Sequence, residues 1–167
     1  MKHHQSRHSY RLWVPGLLLL LLSNWLMPAA AARAQKILPQ LVVSNFSTHE
    51  TIAALPVEAG DRFTIRYIHS VDKTPIFEEF RLDLKQGLVL EKTWFTMFGA
   101  GLGHWPGHGR LTQNKDWITI DDIERPLGSF ILRIGALSVG HTIIYHNREI
   151  NLSRRAPGVR ALVEFRR

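Results

Sequence analysis

Two segments of the chain hold residue types that could do chemistry. The first runs Tyr67-Ile68-His69-Ser70-Val71-Asp72-Lys73-Thr74-Pro75-Ile76-Phe77-Glu78-Glu79-Phe80. A histidine beside a carboxylate can serve as a general base or a metal ligand, so the pairs of interest are His69 with Glu78 or with Asp72. Phase decides what they face. His69 continues the alternation Phe63, Ile65, Tyr67, and Glu78 continues Phe80, Leu82, Leu84. If both apolar faces point to the core, a histidine and a glutamate sit inward at facing ends of two strands, joined by a loop over residues 70–77. Burying a carboxylate is costly unless it is paired or hydrogen-bonded, so Glu78 then requires partners such as His69, Ser70 or loop amides. Glu79, one position on, points to solvent. The purely structural alternative is that Glu78 caps loop amides and His69 satisfies a carbonyl.

The second segment is Phe98-Gly99-Ala100-Gly101-Leu102-Gly103-His104-Trp105-Pro106-Gly107-His108-Gly109. A dinucleotide fingerprint needs G-x-G-x-x-G opening a helix. Here the spacing is G-x-G-x-G, and Pro106 follows. Glycines allow positive φ and close backbone approach, so the loop can fold over the sheet or a ligand, and its exposed amides can form an anion-binding nest. Trp105 can stack on a ligand or pack the loop. His104 and His108 invite a zinc reading, but Pro106 and Gly107 break the helix that would align them, and no acid lies nearby to complete a site. No metal and no cofactor are expected. The candidate ligand-binding residues are His69, Ser70, Asp72, Lys73, Glu78, Gly99, Gly101 and Trp105. None is assigned as catalytic. No serine lies in a G-x-S-x-G setting, and Ser70, next to His69, points to the opposite face of a strand.

Short β-like runs must position these residues: 41–43, 63–68, 80–85, 88–98, 117–120, 130–134, 142–145 and 161–165, rich in Val, Ile, Thr and aromatics. Turn signals separate them at Ala59-Gly60-Asp61, Lys85-Gln86-Gly87, Pro126-Leu127-Gly128, His146-Asn147-Arg148 and Pro157-Gly158. Asn147 is the residue expected to take positive φ in its turn. No stretch carries a capped helical period. The pattern predicts an all-β chain, a single small antiparallel β-sandwich or barrel-like domain over residues 40–167, after an N-terminal hydrophobic leader helix and a tether at 35–39.

Residues 1–34 read as a secretory signal peptide. Lys2, Arg7 and Arg11 form the basic start, residues 12–27 are apolar around six consecutive leucines, and Ala32-Arg33-Ala34 offers cleavage before Gln35. Ala30-Ala31-Ala32 is a second cleavage choice. An uncleaved inner-membrane anchor over residues 12–32 is the alternative. Both place the domain outside the cytoplasm, by general secretion. The leader accounts for +4 of the net +7 charge, leaving +3 on residues 35–167, much of it after residue 147. An exported body close to neutral excludes a nucleic-acid partner. The absence of cysteine excludes disulfides, thiolate metal sites and a cysteine nucleophile.

The motif running from Tyr67-Ile68-His69-Ser70 through Glu78-Glu79-Phe80, taken with Phe98-Gly99-Ala100-Gly101-Leu102, resembles the domain-of-unknown-function family numbered 1850, small exported bacterial and archaeal proteins. The resemblance covers about residues 40–165. His69, Ser70, Thr74, Pro75 and Glu78 match its first motif, and Gly99 and Gly101 its second. Asp72 stands where the family commonly has Glu, and Gly103 where a proline is expected, which leaves the loop's shape open. The resemblance implies an accessory or ligand-binding module of a solute uptake system, because members are often encoded beside, or fused to, tripartite ATP-independent periplasmic (TRAP) transporters of the TAXI type. The implied partners are a TRAP membrane subunit or a small solute. No catalytic residues come with the resemblance. A small exported hydrolase using His69 with Glu78 or Asp72, and a structural envelope-interaction module, are the alternatives.

Overall fold

The computed structural model describes residues 38–97 and 109–167. The leader, most of the tether, and Gly99, Gly101, His104, Trp105 and His108 lie outside the described residues. The strands are β1 (Gln40–Asn45), β2 (Thr51–Pro56), β3 (Arg62–Ile68), β4 (Pro75–Asp83), β5 (Gly87–Phe95), β6 (Arg110–Gln113), β7 (Ile118–Asp121), β8 (Arg125–Arg133), β9 (Thr142–Tyr145), β10 (Arg148–Asn151) and β11 (Arg160–Arg166). One short helix, α1 (Leu152–Arg155), precedes β11. The chain is all-β, as its alternation predicts.

The strands pair antiparallel in the order β10-β9-β3-β4-β5-β8-β11-β1-β2, and the sheet curls until it is nearly closed into a barrel. The open seam between β10 and β2 is spanned by α1, which packs against β2 and β9. Asn151 caps α1 by accepting from the Arg154 amide (2.8 Å), and Arg155 Nη1 donates to the Ile52 carbonyl of β2 (3.0 Å). Leu152 is fully buried beneath it.

The barrel turns its corner in β8. Residues 125–128 pair with β5, and residues 129–133 pair with β11. Gly128 faces both Gly87 and Leu88, a one-residue slip in register, and both glycines have positive φ, at 72° for Gly87 and 68° for Gly128. A Cβ on Gly87 would stand 2.3 Å from the Gly128 carbonyl oxygen, so only a hydrogen fits where the strands bend against each other. Pro126-Leu127-Gly128, expected to be a turn, is therefore a kinked part of a strand. Similarly, β4 begins at Pro75, so the loop after β3 spans residues 69–74 rather than 70–77. The β9–β10 hairpin takes its positive φ at His146, not at Asn147.

On its far side β5 forks. Its first half pairs with β8, and Thr93–Phe95 pairs with β7, which carries β6 outward as a hairpin. A bulge marks the fork: Glu79 pairs with Lys92 but Phe80 with Leu90, leaving Glu91 as the extra residue. It turns Glu91 to the outer face.

The interior follows the alternation. Phe63, Ile65, Phe80, Leu82, Leu88, Leu41, Val43, Leu55, Ala161 and Val163 form the main core. The Phe80 ring stacks between Phe63 and Phe130, at 5.2 Å to each centroid, and ties β3, β4 and β8. A smaller cluster of Ile76, Phe95, Ile118 and Ile120 lies under the β7 flap, with Tyr67 touching both clusters.

Candidate functional site

Glu78 lies on the inner face of β4, in phase with Ile76, Phe80 and Leu82. Across the sheet it stands opposite Ile65 on β3 and Thr93 on β5. Thr93 spends its hydroxyl on the Phe77 carbonyl (3.0 Å). Among the described residues no donor and no cation reaches the Glu78 carboxyl, and burial pushes its pKa up. It is half-buried, so water reaches part of it. Tyr67, opposite Ile76 on β3, is its polar neighbour. Burial, then the negative charge of Glu78, holds the Tyr67 hydroxyl above its usual range.

His141 completes this wall. Its ring lies 5.1 Å from that of Tyr67. The Gly135 amide donates to Nδ1 (2.9 Å), and the His141 amide donates to Ser153 Oγ (2.9 Å). An accepting Nδ1 places the neutral ring's proton on Nε2. Burial lowers the His141 pKa, so the ring is held neutral.

The basic side chains of β3, β4 and β5 all point the other way. Arg62 Nε donates to Glu91 (2.6 Å) and Arg66 to Glu149 (3.2 Å); Arg81 bonds Glu91, Asp83 (2.8 Å) and Glu124 (3.0 Å), and Lys92 pairs with Asp121 (3.3 Å). Burial raises the pKa of Glu91, but the hydrogen bonds from Arg81 and Arg62 outweigh it and hold the carboxyl below its usual range. Glu91 is 9% exposed, and the Ile123 amide donates to its carbonyl (3.0 Å). The outer network, which borders a cleft of about 280 Å³, thus pins the fork of β5. Among the described residues the inner wall has a carboxyl and no cation.

His69 and Glu78, expected to meet at facing strand ends, do not form a pair. The His69 amide bonds the Thr74 carbonyl (2.9 Å) at the loop, whereas Glu78 sits well inside β4, opposite Ile65. What His69 meets is Asp72: Nδ1 lies 2.8 Å from Oδ2 and 3.2 Å from the Asp72 amide. Oδ2 is buried and has no hydrogen bond of good geometry. Ser70 and Lys73 are exposed. Lys73 has a φ of 56°, and its Nζ donates to the Ser70 carbonyl. The alternation put Tyr67 on the inner face without marking it as part of a site, and it did not expose His141. Tyr67 reads as core, and His141 precedes its strand, so only the β3–β9 pairing brings it in.

Fold and site together define a nearly closed antiparallel β-barrel with a polar patch on its inner wall, free of cations among the described residues. Among the described residues no three histidines or carboxylates gather as a metal site. The family model for the domain of unknown function DUF1850 matches residues 63–152, from β3 to the start of α1, and the chain belongs to that family. No curated protein and no solved structure matches the chain.

Proposed function

We propose that the chain is an extracytoplasmic binding module that takes a small solute at the inner wall around Glu78 and Tyr67 and serves a TRAP-type uptake system. The observation that carries the reading is Glu78: a half-buried carboxyl on the inner face with no partner among the described residues. Buried polar groups are nearly always satisfied, and a carboxyl left open beside a tyrosine is what a binding site presents to an absent ligand. The export leader supports the compartment, and the family resemblance supports the transporter. Two measurements test it. Mass spectrometry of small molecules released from the protein recovered from the cell envelope should find a stoichiometric solute, and deleting the gene should lower uptake of the neighbouring transporter's substrate. A solute-free protein together with unchanged uptake rejects the proposal and leaves a structural envelope module.

A second reading rests on the 2.8 Å approach of His69 to Asp72. A carboxylate that orients an imidazole is the arrangement of a general base, which suits a small hydrolase. Hydrolysis of a generic ester by the wild type that is lost in His69→Gln favours it; equal rates in the two exclude it.

A further inference from the structure

Resting on the reading of the inner wall as a solute site, we propose that the solute is an organic cation whose ammonium group pairs with Glu78 against the Tyr67 ring. The argument is one of charge placement. Strands β3, β4 and β5 carry four basic side chains, Arg62, Arg66, Arg81 and Lys92, and each is engaged by a carboxylate on the outer face. Strand parity leaves the inner face of the same strands with Phe63, Ile65, Tyr67, Ile76, Phe80, Leu82 and one acid, Glu78. An anionic solute would meet that carboxyl with no cation to offset it. A neutral solute suits Glu78 only while the carboxyl is protonated; once ionised, it would be desolvated without a counter-charge, which costs several kcal/mol or more.

A metal ion fits poorly. Calcium takes six to eight oxygen ligands and magnesium near-octahedral geometry, whereas the strand neighbours of Glu78 are Ile65 and Thr93, which add at most one hydroxyl oxygen. An alkylammonium group suits the wall better. Its charge meets the carboxylate, and the Tyr67 ring offers a π face to the same charge.

The titratable groups around Glu78 are few. Tyr67 lies on β3, and behind it the His141 ring leads into β9, both held neutral by burial. The His69–Asp72 pair stands at the loop beyond Tyr67, and β5 offers only Thr93. The full-length protein, with its glutamate carboxyls isotopically labelled, is titrated by NMR with ethylammonium chloride against sodium chloride at equal ionic strength. Sodium acetate is the control. A probe that binds only the ionised carboxylate lowers the apparent Glu78 pKa by about one unit at ten times its Kd. The expected result is that fall with ethylammonium and none with acetate. Ethylammonium should also raise the melting temperature of the wild type and of Glu79→Gln, and leave Glu78→Gln unmoved. The wild-type titration decides the matter even if Glu78→Gln does not fold. An unmoved Glu78 resonance in a protein that still yields an anionic or neutral solute overturns the cation assignment and spares the binding reading. An unmoved resonance with no solute found overturns both.

Discussion

Glu78 is the residue on which chemistry and stability pull in opposite directions. Burial raises its folded pKa above the usual value of 4.5, so its favourable effect is full below about pH 4.5 and fades as pH rises through the folded value. His141 has the opposite sign. Its folded pKa is lowered from 6.5 by burial, so its effect is full above about pH 6.5 and is lost as pH falls through the folded value. Glu78→Gln should raise stability at pH 8 by about 1–3 kcal/mol and flatten the fall in melting temperature as pH rises above about 4.5. Glu79→Gln, on the outer face, should leave that plot unchanged within about 0.5 kcal/mol. Equal slopes for the two variants would remove Glu78 from the inner face. The inward phase of Glu78 was legible from alternation alone. Its lack of a partner was not, because the start of β4 at Pro75 moves His69 and Ser70 away along the strand. The His69–Asp72 approach was within reach of sequence reasoning, being local. The glycine segment's candidates, Gly99, Gly101 and Trp105, lie outside the described residues.

At the scale of elements, two devices shape the barrel: the glycine corner of β8 and the fork of β5. Gly87→Ala puts a methyl group onto the Gly128 carbonyl at a positive φ, so it should cost more than about 2 kcal/mol in urea unfolding. Gly128→Ala also sits at positive φ, but its Cβ would meet nothing closer than 3.9 Å, and the expected loss is only about 1–2 kcal/mol. A reversed order would mean that the corner is not where the strain lies. At the fork, Glu91→Gln keeps the shape but removes the charge shared by Arg62 and Arg81. We expect a loss of about 1–3 kcal/mol and faster amide exchange at Ile123, whose bond to the Glu91 carbonyl closes the fork. These devices explain what the sequence hid. Strand β2, TIAALP, has two alanines in place of β-branched residues, and every residue of β6 is exposed, so neither shows a β-like run. Pro126 and Gly128 look like a turn because a strand that bends through a barrel corner uses turn chemistry. The strongly alternating strands β3 and β4 were plain for the opposite reason: one face of each is mostly apolar and turned to the core.

The whole molecule is held by pairings far apart in sequence. β11 lies between β8 and β1, and its register runs Gln40↔Arg166 to Asn45↔Ala161. The family match at residues 63–152 holds β3 to β10 and leaves out β1, β2 and β11, which line the remaining arc of the barrel. Val163→Asp should abolish folding outright, since Val163 is fully buried in a strand with partners on both sides. Circular dichroism showing an intact sheet in that variant would contradict the topology. The β1–β11 zipper also sets an order of events. Until residue 166 is available, the β1–β2 hairpin has no strand to bind and the barrel wall stays broken. A chain supplied amino end first therefore cannot close its barrel wall until β11, more than a hundred residues beyond β1, is free to pair.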